Sequence, residues 1–350
     1  MANKKRLTID DIAVAAGVSK TTISRYLNGR HDLVSEKTWA RIQAVVEMTD
    51  YRPSDIASNL KKKTTNLIGV LISDISSPFS SALIIGITQY LNECGYSVLI
   101  ANSEDSVKKE EENIRSLLSK GVCGLLVNTS SYDNPFLIHM DCESVPIVLM
   151  DRKVRNHEFS LVTSDHASGM QKLIQHLYEQ GYTRPVLFTQ DWSNNSTRIT
   201  RRNSFIESVE KIYSYSPLDK EDIYLIDRRK GNSASAQLQK LLSTLSDDEV
   251  PIIIGSNSVT AACAANAILS QGLSMPKQIG LCGPEDWDWS TELNWPYLVH
   301  PTVTTLKVCS TEMGYQAASL LISKINNADA MPETRIVPCE LIIRESTRLK

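Results

Sequence analysis

No stretch of this 350-residue chain stays apolar for the roughly 18 residues that a membrane-spanning helix needs. The longest apolar runs, Leu67 to Ile72 and Pro251 to Gly255, are strand-length, so no spanning helix and no membrane partner is expected. An apolar leader segment is missing too. The basic start Lys4-Lys5-Arg6 runs directly into a polar capping sequence at Thr8, and the chain reads as cytoplasmic. Cysteine is sparse. The seven cysteines (94, 123, 142, 263, 282, 309, 339) are odd in number and contain no Cys-x-x-Cys pair, which argues against a disulfide framework. His139 and Cys142 form the one close His/Cys pair, and with no second pair nearby no metal site is expected. Also lacking are Gly-x-x-x-x-Gly-Lys-Ser/Thr, Gly-x-Ser-x-Gly, His-Glu-x-x-His and Gly-x-Gly-x-x-Gly. Neither an enzyme nor a bound cofactor is therefore expected.

What is present is the composition of a globular chain, 42% hydrophobic and 22% charged, long enough for two or three domains. Charge is unevenly placed. Positions 1–65 hold 12 of the 37 basic residues and 7 of the 40 acidic ones, a net of +5, which leaves −8 for the remainder. One end of the molecule therefore attracts polyanions and the other does not.

Thr8-Ile9-Asp10-Asp11 reads as a capping box that starts a helix, with Ile9, Ile12, Ala13 and Ala16 on one face. Gly17 supplies the turn, and Ser19 caps a second helix running to Leu27 before Asn28-Gly29. In that helix Thr22, Ile23 and Tyr26 share one side, while Lys20, Thr21, Ser24, Arg25 and Asn28 crowd the opposite arc. Such an arc suits a solvated face as well as a helix laid in a DNA major groove. The basic charge and a third helix favour the groove. That third helix opens at Val34-Ser35 and carries Trp39, Ile42, Val45, Val46 and Met48 as an apolar stripe.

Thr8-Ile9-Asp10-Asp11-Ile12-Ala13, Ala16-Gly17-Val18-Ser19, Thr22-Ile23-Ser24-Arg25, Leu27-Asn28 and Val34-Ser35 resemble, in order and spacing, the N-terminal signature of the LacI/GalR family of bacterial transcription regulators. The resemblance implies base reading by Lys20, Thr21 and Arg25. Thr8, Ser19, Thr22, Ser24, Asn28 and Ser35 complete the expected DNA-binding set. Tyr51 to Leu60, followed by Lys61-Lys62-Lys63, is similar to the family's hinge helix, which implies that Leu60, with Ala57 beneath it, wedges into the minor groove at the operator centre while Lys61 meets phosphate. A leucine packed on the next domain is the plainer alternative for Leu60.

From Thr64 onward apolar strand-length runs alternate with helical stretches, in two successive series, as a doubly wound and mostly parallel sheet requires. Two such halves suggest a cleft at the carboxyl ends of their strands. Landmarks similar to the family continue to Arg344-Glu345-Ser346-Thr347. The expected fold is thus a small all-α helix-turn-helix head (1–52), a hinge helix and linker (53–64), and an α/β core (65–350) like that of periplasmic binding proteins, with two doubly wound subdomains. The expected N-subdomain is about 65–165 plus 297–328, and the C-subdomain about 166–296 plus 329–350, with crossings near 165, 295 and 330.

For the cleft the resemblance points to Arg201 as a sugar-gripping arginine, with Asp74, Phe79, Asp151, Arg152, Asn257, Glu285 and Trp287 around it. Three places depart from the family, the first being Ser204, where the usual residue is Gly. Asn257-Ser258 stands where relatives commonly have Asn-Asp, and Gly283-Pro284-Glu285-Asp286 where they have Gly-Phe-Asp-Asp. A carboxylate lost at Ser258, beside Arg152, Arg198, Arg201 and Arg202, would leave the cleft more positive and suited to a sugar acid such as a keto-gluconate. Trp287 and Trp289 are candidate stacking surfaces, with loop packing as the alternative. The whole implies a homodimeric repressor of a carbohydrate operon that binds a palindromic operator and is controlled by a sugar or sugar-acid effector. The chain ends soon after the Arg344-Glu345-Ser346-Thr347 landmark, so no tetramer-forming tail is expected. A periplasmic-type sugar-binding protein without DNA regulation is the alternative; it leaves the basic head unexplained.

Overall fold

The computed structural model describes residues 7–27, 29–51, 65–141, 145–227, 230–286, 293–327 and 329–350. They fall into two compact units, one ending at Thr65 and the other starting at Asn66. Elements are numbered in chain order.

The first unit is a three-helix head. Helix α1 (Ile9–Ala16) opens on the capping box, with the Asp11 amide donating to Thr8 Oγ1 at 3.3 Å and the Thr8 amide to Asp11 Oδ2 at 2.7 Å. It ends at Gly17, whose φ of 62° is the left-handed conformation that a residue without Cβ adopts freely. Helix α2 (Lys20–Leu27) begins behind Ser19, whose hydroxyl accepts from the Thr22 amide at 3.2 Å. Helix α3 (Glu36–Thr49) is capped by Ser35. Ile12, Ala13, Ala16, Ile23 and Ile42 form the buried centre. Met48, expected on the α3 stripe, is instead 82% exposed. From Ile42 the buried face continues through Val45, Val46 and Thr49, whereas Met48 lies about 120° off that line at a rotation of 100° per residue. Trp39 packs at the rim of the head, its ring 4.4 Å from Tyr26 and stacked 3.6 Å from His31.

The second unit holds two six-stranded sheets. The first contains β1 (Leu67–Ile72), β2 (Ser97–Asn102), β3 (Gly124–Val127), β4 (Ile147–Met150), β5 (Ser160–Ser164) and β11 (Thr334–Val337). Their order is β11-β5-β4-β3-β1-β2, all parallel. Helices α4 (Pro78–Glu93), α5 (Val107–Ser119), α6 (Pro135–Asp141) and α12 (Ser310–Asn326) contribute to its cores. The second sheet contains β6 (Arg184–Thr189), β7 (Ile223–Leu225), β8 (Pro251–Gly255), β9 (Gly280–Pro284), β10 (Thr304–Val308) and β12 (Cys339–Ile342). Its order is β12-β10-β9-β8-β6-β7, with only β12 antiparallel. It is served by α7 (His166–Gln180), α8 (Ser196–Tyr213), α9 (Ser233–Ser243), α10 (Ser258–Ser270) and the short α11 (Trp295–Leu298). Strands β3, β4, β6, β8 and β9 are buried along their whole length, which is why all but β6, bounded by Arg184 and Thr189, read as unbroken apolar runs.

The chain passes between the sheets three times, at Asp165, Cys309 and Pro338. Two of these differ from the expected crossings near 295 and 330. Thr304 pairs with Cys282, which keeps β10 in the second sheet, and Thr334 pairs with Leu161, which keeps β11 in the first. The later segment of the N-subdomain is therefore 310–337 instead of 297–328, and the C-subdomain resumes at 339 instead of 329. Ladder partners lie more than 20 residues away in sequence, beyond the reach of local periodicity.

Helices α4 and α12 meet through two glycines. A Cβ on Gly86 would collide with the Thr311 carbonyl, and one on Gly314 with the Leu83 carbonyl. Backbone contact of this kind leaves no room for any side chain. Gly86→Ala and Gly314→Ala are each expected to destabilise the core by about 2 kcal/mol or more, measured as a lower urea midpoint at unchanged m-value. A neutral result at both positions would mean that the helices can separate freely.

Candidate ligand cleft and DNA-reading helix

On the head, Lys20, Thr21 and Arg25 of α2 are exposed on one arc, with Ser24 half-buried between them. Ile23 is fully buried on the opposite side, so the helix is anchored by one face and offers the other. The Lys20 ammonium lies 2.8 Å from Asp10, both largely in solvent; such a pair is weak and can open for another anion. The hydroxyls of Thr8, Ser19 and Ser35 are engaged in helix caps, and the Thr22 hydroxyl lies 2.8 Å from that of Ser19. Asn28, Ala57, Leu60 and Lys61 lie outside the described residues, as do Trp287 and Trp289 of the cleft loop.

In the core unit the two sheets turn their carboxyl ends towards one cleft of about 80 Å³. Residues that directly follow strands line it: Ser73 and Asp74 after β1, Asn128 after β3, Asp151 and Arg152 after β4, Gln190 after β6, Asn257 after β8 and Glu285 after β9. This is the crevice position that open parallel sheets favour. Phe79 from the first turn of α4, and Thr197, Arg198 and Arg201 from α8, complete the wall. The cleft thus brings together Asp74, Phe79, Asp151, Arg152, Arg201, Asn257 and Glu285. Arg202 is not part of it. Its guanidinium lies over the Trp192 ring at 4.9 Å.

Arg201, only 6% exposed, donates through Nη1 to Glu285 Oε1 at 3.0 Å and to the Ser256 carbonyl at 2.7 Å. The other carboxylate oxygen of Glu285 accepts from the Ser258 hydroxyl at 2.9 Å. Trp295 Nε1 holds the Glu285 carbonyl at 2.8 Å, and the Glu285 backbone adopts φ 75°, a left-handed conformation that a non-glycine residue keeps only where its surroundings enforce it. Two of the positions that depart from the family pattern, Ser258 and Glu285, therefore meet in space. Ser258 has no carboxylate, and Glu285, at a position where relatives commonly have Asp, supplies the one that meets the Arg201 guanidinium. The expected excess of positive charge does not arise, because Asp74, Asp105, Asp151 and Glu285 stand beside Arg152, Arg198 and Arg201. Arg152 likewise meets Asp105 at 3.0 Å and the Thr129 carbonyl at 2.9 Å.

Asp151, at φ 63°, joins the subdomains. It accepts from Thr197 Oγ1 at 3.0 Å and lies 3.3 Å from His166 Nε2. Burial, and then the charge of Arg201, push the His166 pKa below its ordinary value. Burial also opposes the charge of Asp151, but His166, Arg201 and Arg152 outweigh it and hold that carboxyl below its ordinary range. At neutral pH the pair is a carboxylate facing a neutral imidazole. Asp286, next to Glu285, turns away to a buried pair with Arg344 at 2.9 Å.

The sequence did not single out Asn128, Gln190, Asn195 and Thr197 as cleft residues. Their only local signal is a polar residue just after a strand or at a helix start, and many loops share that signal. Trp295 was equally silent, because its role depends on the Glu285 backbone ten residues earlier.

Residues 65–345 match the family model described as periplasmic binding proteins and sugar binding domain of LacI family, and residues 8–54 match that of bacterial regulatory proteins, lacI family. The transcriptional regulator KdgR of Bacillus subtilis is 30% identical over 97% of this chain and 97% of its own length. PtxS of Pseudomonas aeruginosa is 31% identical over 99% of this chain and 97% of its own length. Among solved structures, a lac repressor dimer bound to operator and an anti-inducer superposes with a TM-score of 0.84 at 23% identity, covering 98% of this chain and 99% of that one, a likeness of fold. The match of the head to the regulator model removes the reading as a binding protein without DNA. Among the described residues no helix is long and apolar enough to cross a membrane. The chain belongs to the LacI family and is a DNA-binding transcription regulator, not an enzyme.

Proposed function

We propose that this regulator is a dimeric repressor of an operon for carbohydrate use, released from or held on a palindromic operator by a small sugar or sugar acid bound in the cleft. The observation that carries this reading is the Arg201–Glu285 pair at the floor of a polar cleft between two subdomains. Of the cleft-lining side chains, the buried Arg201 Nε has no hydrogen-bond partner among the described residues. Unmet buried donors are costly, and a ligand rich in hydroxyls relieves that cost. A cavity of about 80 Å³, where one water needs roughly 10–15 Å³, suits a monosaccharide better than a longer sugar.

Because Glu285 answers Arg201, an acid group on the ligand would be met by Arg198, half-exposed at the start of α8, and by Arg152 from the opposite subdomain. Glu285 and Asp74 would then take sugar hydroxyls as acceptors. On the DNA side Lys20 and Arg25 suit guanine O6 and N7, and Thr21 reads more tolerantly. Leu60, with Ala57, would form the minor-groove wedge and Lys61 a phosphate contact. KdgR and PtxS are named as transcriptional regulators, and a ribose operon repressor of Bacillus subtilis, 29% identical over 97% of this chain and 98% of its own, supports the reading as a repressor of carbohydrate use.

The deciding experiment is binding to DNA upstream of the chain's own gene at stated salt, titrated with gluconate, 2-ketogluconate, uronates and neutral hexoses. Release or tightening by one of them is expected; a folded dimer that binds no specific DNA under any of these conditions would refute the reading. Leu60→Ala should weaken operator binding by roughly tenfold or more and leave ligand calorimetry unchanged. Arg201→Gln should do the opposite, keeping operator binding while the ligand response is lost. Glu285→Ala strands a buried guanidinium and should cost the core about 3–5 kcal/mol. Adding Ser258→Asp should recover part of that loss, since it returns a carboxylate to Arg201; additive losses would show that the two positions do not share it.

A further inference from the structure

The first turn of α8, which carries the cleft arginines Arg198 and Arg201, is tied to the opposite subdomain at several successive points. Thr197 bonds Asp151, as described above, and the Ser196 hydroxyl accepts from the Lys153 amide at 2.9 Å. Just outside the helix Asn194 forms a denser contact. Its Oδ1 accepts from the Tyr132 amide at 3.0 Å, the Asp133 amide at 3.1 Å and the Ser131 hydroxyl at 3.1 Å. Its Nδ2 reaches that same hydroxyl at 2.9 Å, and its carbonyl also accepts from Tyr132 N at 3.0 Å.

The loop that receives Asn194 is rigidly mounted. Glu110 of α5, completely buried, receives the Thr129 hydroxyl, the Ser130 amide and the Asn134 side-chain amide, so the segment from 129 to 134 is built around one carboxylate. Next to Asn194, Asn195 caps α8 by accepting from the Arg198 amide at 3.0 Å, and it lines the cleft. A side chain that accepts from the Tyr132 and Asp133 amides of the opposing loop therefore sits one residue before the helix cap on which the cleft arginines depend.

We propose that Asn194 is a positioning residue that clasps the start of α8 to the N-subdomain and so holds the cleft closed on its ligand. The bonds recorded for the Asn194 side chain are all hydrogen bonds, each modest in water, so the clasp can open without unfolding either sheet. Opening would swing Arg198 and Arg201 away from Asp74 and Arg152.

Hydrogen exchange on the full-length dimer, without ligand or DNA, tests this directly. In Asn194→Ala the Tyr132 and Asp133 amides should exchange about tenfold faster, and so should the Lys153 amide, which Asn194 does not touch but which bonds across the same seam. Asn194→Asp keeps the acceptor oxygens and should stay near wild type. Faster exchange confined to residues 131–133, with Lys153 unchanged, would reduce Asn194 to a local loop contact and overturn the clasp. A second arm, which rests on the cleft being the effector site, measures 2-ketogluconate dissociation, expected to be about tenfold faster in Asn194→Ala with Asn194→Asp again near wild type. If wild type binds no 2-ketogluconate, that ligand assignment fails, while the exchange at Lys153 still decides the clasp.

Discussion

Parallel strands joined by crossover helices all end on the same edge of their sheet, and the core of this protein depends on that constraint. Whatever follows β1, β3 and β4 in one sheet, or β6, β8 and β9 in the other, is delivered to the same crevice. Two sheets linked by three strands of chain then face each other across residues that are far apart in sequence. A ligand site arises here without any local motif, and it changes shape whenever one sheet moves against the other.

Within that crevice the governing interaction is the meeting of buried charges. A guanidinium as enclosed as Arg201 must find an anion, and Glu285 provides it, at the cost of a left-handed backbone held by Trp295. Asp151 does the equivalent on the other subdomain, where His166 and Thr197 bind it from the opposite side of the interface. These ties make the cleft a joint. Breaking or adding one hydrogen-bonded partner shifts the relative placement of the subdomains, which gives a small molecule a physical means of control at a distance.

The helical head was the most legible part of the sequence. Thr8, Ser19 and Ser35 are caps, Gly17 is a turn, and Ile12, Ala13, Ala16, Ile23 and Ile42 recur at helical spacing, all within about 40 residues. Where the pattern was followed one step too far, at Met48, the error was one of helical phase. The alternation of strands and helices in the core was legible through β4 and again from β6 to β9, but helix α6 and strand β5, which lie between β3 and the first crossing, were not read from the sequence. After β9 the elements are short and take their identity from distant partners, so β10 and β11 were given to the wrong subdomains.

The sequence by itself determined the family, the head, the two-sheet architecture and seven of the seventeen residues that line the cleft, because each of these rests on local spacing or on motifs within a few turns of chain. Only the tertiary structure decided the charge state of the cleft. Removing a carboxylate at Ser258 looks, along the chain, like a gain of positive charge; in space, four carboxylates, of Asp74, Asp105, Asp151 and Glu285, stand beside the three cleft arginines. The clasp between Asn194 and residues 131–133 is invisible for the same reason, since it joins loops of different subdomains. Interactions between distant residues are set by which surfaces the fold brings into contact, and that depends on packing over the whole core.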